Sequence, residues 1–200
     1  MTAQAGDTFL LKRTRRRDLR RLRALIPAHE RRRAAERAAR HALQWLRVRP
    51  RRTVAVYLSA GSELDTQPLI AGLRHAGHRV CVPVVLPNAG LRFVELAPST
   101  RLRRNHLGIC EPETARAPIR HAQLDAILMP LVGFDHEGRR LGAGGGYYDR
   151  YLARPRRGKR PQRIGYAFAM QGVERLPDDP WDIRLDAIIT ERGIRLWPTG

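Results

Sequence analysis

Apolar positions recur at helical spacing through the first quarter of the chain and gather into short continuous runs after it. Leu19, Leu22, Leu25 and Ile26 lie three or four residues apart and predict a helix over residues 14–26, with residues 1 to about 11 read as a loose tail. Pro27 breaks that helix. Ala38, Ala42, Leu43 and Leu46 mark one side of a second helix over residues 28–46, which Pro50 closes.

The period then changes. Thr53-Val-Ala-Val-Tyr-Leu58 is almost wholly apolar, as a strand covered on both faces must be. A helix over residues 68–76 ends at Gly77, and Arg79–Pro83 supplies a second strand. Leu91–Leu96 reads as a third strand nearer an edge, Asp125–Leu131 as a fourth and buried one, with Arg163–Phe168 and Asp186–Thr190 as two more. Strands alternating with helices predict an α/β three-layer sandwich with a mostly parallel, Rossmann-like sheet, preceded by a basic N-terminal helical segment. The 200 residues fit a single domain, in which the Arg154–Pro161 stretch is one exposed loop. Open sheets of this kind bind ligands outside the carboxyl ends of their strands. That rule selects the turn after Leu58, the loop after Leu131 and the segment around Asp186.

Charge alters this picture in one region. The chain carries a formal +19, and 17 of its Lys and Arg lie between Lys12 and Arg52 against three acids, Asp18, Glu30 and Glu36. Such a segment suits nucleic acid, an acidic membrane or an anionic substrate, or is simply a solvated helix face. No aromatic residue interleaves it before Trp45, so nucleic acid is not the expected partner. No apolar run approaches the roughly 20 residues of a membrane span, and no secretory signal is visible, so a cytoplasmic monomer is expected. Cys81 and Cys110 have no metal-ligand spacing, and Cys81 reads as a buried free thiol. None of the seven histidines is assigned a role.

Candidate chemistry concentrates between Gly133 and Arg150. This stretch leaves a buried strand and passes Arg139, Arg140 and Leu141. It then runs Gly142-Ala143-Gly144-Gly145-Gly146 and enters an amphipathic stretch, Tyr147–Leu152. Glycines permit positive φ and close approach of backbone N–H groups to an anion, and the following helix adds its own unsatisfied donors. A phosphate is the natural guest, although the P-loop Lys and Ser/Thr are missing. Asp149 follows as a helix-start acid or as a Mg²⁺ ligand, and Asp186 is the second acid that would complete such a site. Earlier, Asp65 or Thr66 reads as a helix cap, whereas Glu63 stands evenly between surface acid and ligand contact.

Together these segments resemble the 5-formyltetrahydrofolate cyclo-ligase family over nearly the whole chain. The resemblance rests on the basic N-terminal helix, Leu58-Ser-x-x-x-Glu63-Leu-Asp-Thr66, Gly108-Ile-Cys-Glu-Pro112 and Pro130-Leu-Val-Gly-Phe-Asp135. It also rests on Arg140-Leu-Gly-x-Gly-Gly-Gly-Tyr-Tyr-Asp-Arg150 and the late Asp186. It implies a one-carbon-metabolism ligase that uses ATP and Mg²⁺ to cyclise 5-formyltetrahydrofolate, possessing no covalent nucleophile of its own. By resemblance, Lys12, Arg13, Thr14, Arg15 and Arg16 contact ATP, as do residues Arg140 to Tyr148. Leu58, Glu63 and Ala143 to Tyr147 contact folate, Arg140 and Tyr148 assist the chemistry, and Asp149 and Asp186 hold the metal. The basic N-terminus would draw in ATP and a polyglutamate tail. One departure stands out: many members carry a basic residue inside the glycine run, where this chain has Ala143 and Gly145. The rival reading is a catalytically silent relative that binds nucleotide or RNA through its basic segment.

Overall fold

The computed structural model describes residues 3–46, 52–87, 90–105, 108–113, 117–153 and 161–198. Pro50 and residues 154–160 of the expected loop lie outside them. Two helices, α1 (Ala3–Ala24) and α2 (Ala28–Leu46), precede the sheet. Then come β1 (Thr53–Val56), α3 (Gln67–His75), β2 (Arg79–Leu86), β3 (Gly90–Glu95), β4 (Leu102–Arg104) and β5 (Cys110–Pro112). The second half holds β6 (Ala126–Met129), β7 (Gly133–Asp135), β8 (Arg140–Leu141), α4 (Tyr147–Leu152), β9 (Gln162–Tyr166), β10 (Gly172–Val173), β11 (Ala187–Thr190) and β12 (Gly193–Leu196).

The main sheet has seven strands in the order β12-β11-β9-β6-β1-β2-β3. Its five inner strands are parallel, and β3 and β12 pair antiparallel at the two edges. Alternate side chains of each strand enter two separate cores, as the period of two requires. Val54, Val56, Leu128 and Ile164 pack with the alanines of α2 and with Leu69, Ile70 and Leu73 of α3. Ala55, Cys81, Ile127, Met129 and Ile188 pack on the other face with Phe93, Tyr148 and Leu152. Small residues at 34, 35, 38, 39 and 42 let α2 lie close on the sheet. The Cys81 thiol sits in the second core, where burial pushes its pKa up to about 12 and leaves it inert.

Gly165 shows how tightly the second core closes. A Cβ there would lie 2.5 Å from Ile188, 2.7 Å from Leu131 and 2.9 Å from Leu185. Gly165→Val is therefore expected to destabilise the fold by about 1–3 kcal/mol through overpacking, measured by urea unfolding.

The first helix departs from its sequence reading in extent. It begins at Ala3, so most of the expected loose tail is helical. Of the apolar residues that predicted it, Leu22 and Leu25 are exposed and Leu19 is buried, as are Lys12 and Arg23. The inward stripe is 12-16-19-23, with three cations and one leucine. Leu19 alone anchors it apolarly, against Val132, Leu141 and Leu176. The helix lies across the polar carboxyl rim of the sheet, and a polar rim is met by a polar stripe.

Candidate active site

The glycine run sits in a turn between β8 and α4. Gly144 and Gly146 adopt φ of +115° and +64°, which side-chain-bearing residues rarely take, and Gly146 is the N-cap of α4. Since α4 is six residues long, its dipole is a minor source of positive field. Guanidinium groups supply most of it. Arg16 Nε donates to Gly142 O at 2.9 Å and Arg20 Nη2 to Ala143 O at 2.9 Å. The cations missing from the glycine run are thus delivered by α1. Burial, then the neighbouring Arg20, hold the Arg16 pKa below its usual value, against the fields of Asp182 and Asp149.

Lys12 is one of only two lysines in the chain, and it is 8% exposed. Its ammonium donates to Asp179 Oδ2 at 2.6 Å and also to Asp182 Oδ2. Burial opposes the charge, but these two carboxylates outweigh it and the pKa is raised. The rest of the expected N-terminal ATP set divides. Arg13 and Thr14, with Arg16 and Arg20, line a depression of about 760 Å³ beside Ala143. Arg15 lines a separate groove, with Leu11 and Arg175 to Pro177.

Asp149 lies in the first turn of α4, where its Oδ1 accepts from Arg140 Nη2 at 2.7 Å and from the Ile183 N–H at 3.3 Å. Arg140 is buried, with its guanidinium 5.8 Å from the Tyr148 ring centroid and Nη1 donating to Pro130 O. Among the described residues, Arg140 Nε and the Tyr148 hydroxyl are buried polar atoms with no hydrogen-bond partner. Buried donors left open on a site wall point to a ligand or water that uses them. Arg139 instead turns into a structural cluster with Asp135, Glu137 and Asp178.

Asp186, the second expected metal carboxylate, is held by Arg163. It immediately precedes β11, and both its oxygens accept from Arg163 of β9, Oδ2 also taking the Arg163 N–H at 2.7 Å. This fork ties two strand starts together, away from the carboxyl rim. Asp182 shares surroundings with Asp149, since the N–H of the next residue, Ile183, donates to Asp149 Oδ1 at 3.3 Å and both carboxylates act on the Arg16 charge. Asp178, Asp179 and Asp182 lie within eight residues of Asp186 in the chain, yet only Asp186 was read as a ligand from sequence. Only the course of the chain past Lys12 separates them.

At the other end, Glu63 follows β1 and accepts from the Ala60 N–H at 2.9 Å. Burial raises its pKa, against that hydrogen bond and the fields of Arg23 and Arg20. Its charge in turn reaches Tyr57 and Tyr148, both buried and both raised first by burial. Leu58 is 6% exposed and packs into the α2–α3 core, so its side chain is turned from the rim. Thr66 is the N-cap residue of α3 but makes no side-chain capping bond, while Asp65 just before it accepts from the Gln67 N–H at 3.0 Å. Tyr147 is half-buried, with the Arg150 guanidinium 5.5 Å from its ring centroid. The site therefore runs from Glu63, past Tyr148 and Arg140, to Asp149, and on to Arg16, Asp182 and Lys12.

Residues 10–191 match the model of the 5-formyltetrahydrofolate cyclo-ligase family. A 5-formyltetrahydrofolate cyclo-ligase of Escherichia coli (strain K12) is 43% identical over 180 residues, spanning 88% of this chain and 98% of its own. One from Haemophilus influenzae is 34% identical over 177 residues, spanning 87% and 94%. Among solved structures, the 5,10-methenyltetrahydrofolate synthetase of Aquifex aeolicus has a TM-score of 0.75 at 30% identity, covering 95% of this chain and 94% of that one. The Mycoplasma pneumoniae synthetase has a TM-score of 0.73 at 27% identity, covering 90% and 98%. Among the described residues no helix is long and apolar enough to cross a membrane.

Proposed function

The chain belongs to the 5-formyltetrahydrofolate cyclo-ligase family, and we propose that it converts 5-formyltetrahydrofolate to 5,10-methenyltetrahydrofolate at the expense of ATP. The observation that carries this reading is the convergence of Arg16 and Arg20 on the glycine turn beside Asp149, with Lys12 held by Asp179 and Asp182 and with Glu63 and two tyrosines at the far end. Polyphosphate suits the cationic end and an aromatic ring system the other. The family match favours this reading over that of a silent relative.

The chemistry needs no nucleophile from the protein. The formyl oxygen attacks the γ-phosphorus and ADP departs. Nitrogen 10 then attacks the formyl carbon and loses its proton, and the carbon–oxygen bond breaks as inorganic phosphate leaves, closing the ring. What remains for the protein is alignment and charge stabilisation. Lys12 and Arg16 hold the phosphates, and the glycine turn lets backbone donors approach them. Arg140 Nε and the Tyr148 hydroxyl, both open and buried, donate to oxygens that gain charge as the phosphoryl group moves.

The donor set also suits Mg²⁺. Asp149 and Asp182 are carboxylates beside the phosphate end, now balanced by Arg140 and Lys12. A hard cation that takes one or two carboxylates plus phosphate oxygens fits there and would neutralise phosphate charge. Asp186 is left out of the proposed set because it stands just before β11, at the end of the strand opposite the phosphate turn.

Release of ADP stimulated by 5-formyltetrahydrofolate, but not by folate or by 10-formyltetrahydrofolate, is the expected result in a coupled assay. Equal stimulation by all three would reject the assignment. Glu63→Gln is expected to raise KM for 5-formyltetrahydrofolate at least about 10-fold while leaving KM for ATP within about twofold, because one charged hydrogen-bond acceptor is lost at the folate end. Equal rises in both constants would move Glu63 out of that role.

A further inference from the structure

Arg23 is a buried cation that the site described so far does not use. It is 8% exposed, its Nε donates to Ser62 Oγ at 3.1 Å, and its Nη1 approaches Leu131 O at 3.5 Å. Among the described residues it forms no salt bridge, although a buried guanidinium ordinarily demands a carboxylate. The anion whose field reaches it is Glu63, the residue next to its anchor Ser62.

Its position is specific. Strands β1 and β6 are neighbours, yet the chain proceeds from β1 to β2 on one side and from β6 to β9 on the other. The crevice between their carboxyl ends is therefore the topological switch point, where sheets of this type bind ligands. Ser62 belongs to the loop after β1, and Leu131 follows β6. Arg23 spans the crevice from α1, with the buried Tyr57 and Tyr148 and the unpartnered Tyr148 hydroxyl nearby.

A guanidinium and a carboxylate on adjoining anchors present donors beside an acceptor. The complementary ring edge carries a carbonyl oxygen next to N–H groups, and the 2-amino-4-oxo edge of a pterin has that pattern. We propose that Arg23 is a substrate-binding and specificity-determining residue that donates to the pterin 4-oxo oxygen, with Glu63 accepting from the adjoining N–H groups. The assignment rests on the reading that this site takes 5-formyltetrahydrofolate.

The test compares 5-formyltetrahydrofolate with its 4-amino-4-deoxy analogue, in which the acceptor oxygen becomes a donor. Dissociation constants for both are measured by calorimetry on the full-length wild type, Arg23→Lys and Arg23→Gln, alongside KM for ATP. The wild type should prefer the 4-oxo compound by on the order of 100-fold, the scale of a charged hydrogen bond gained or left unmade. Arg23→Gln, whose amide both donates and accepts, should bring the preference within a few-fold, and Arg23→Lys should retain part of it. KM for ATP should stay within about twofold. A merely structural bridge would weaken both ligands alike, so an unchanged ratio in Arg23→Gln overturns the proposal. So does a wild type without preference, a result that needs no variant to fold. Turnover of 5-formyltetrahydrofolate with an unchanged ratio sinks the Arg23 assignment alone. A wild type that neither binds nor converts it sinks the functional reading as well.

Discussion

Asp149→Asn is expected to lower turnover by about 10²–10³-fold while leaving the fold intact, because the carboxylate charge that would hold Mg²⁺ beside the reacting phosphates is lost without a change of shape. Asparagine keeps an oxygen for the Ile183 N–H, so the start of α4 and the segment crossing it remain joined. What it removes is the only ion-pair partner of Arg140 among the described residues, at a side chain 3% exposed, together with one proposed metal ligand. Arg140 retains its contact with Pro130 O and its place over the Tyr148 ring. Loss of activity should therefore come with a near-native unfolding midpoint. Turnover close to wild type, with the same Mg²⁺ requirement, would remove Asp149 from the machinery.

The second expectation is a contrast between two aspartates four residues apart. Asp182→Asn should cut kcat/KM for ATP by about 100-fold and raise the Mg²⁺ concentration needed for half-maximal rate, since it faces the phosphate end and helps hold Lys12. The ammonium would remain anchored by Asp179. Asp186→Asn should instead keep activity within a few-fold and cost stability, by about 1–3 kcal/mol, because it weakens the charged fork to Arg163. Steady-state kinetics and urea unfolding of both variants separate the roles. Were Asp186→Asn the one to lose Mg²⁺ dependence, the pair first read from sequence would be restored.

Those two aspartates illustrate what sequence could and could not reveal. Val54-Ala-Val56 and Ala126–Met129 were legible as buried strands because both faces of a parallel sheet are covered, which turns alternation into a continuous apolar run. The glycine turn was legible because positive φ at Gly144 and Gly146 demands that residue type. Strands β7, β8 and β10 were not, being two or three residues long, too short to establish a period.

The larger miss concerned α1. Apolar spacing at Leu19, Leu22, Leu25 and Ile26 predicted the helix, yet Leu22 and Leu25 are 50% and 70% exposed. A helix that lies on a polar ligand-binding rim buries its cations, and Lys12, Arg16 and Arg23 carried that signal at four- and seven-residue spacing. In a segment with 17 cations it was hidden by the arginines around it. Arg23 and Asp182 went unassigned for the same reason: many residues of one type competed, and only tertiary contacts chose among them.

The most direct measurement follows the absorbance band of the methenyl product when the protein is mixed with 5-formyltetrahydrofolate, ATP and Mg²⁺. The band should grow with ADP appearing in equal amount, stay flat when ATP is omitted, and fall by about 10²–10³-fold in rate with Asp149→Asn. A folded protein that binds both substrates yet produces no band would contradict the cyclo-ligase assignment.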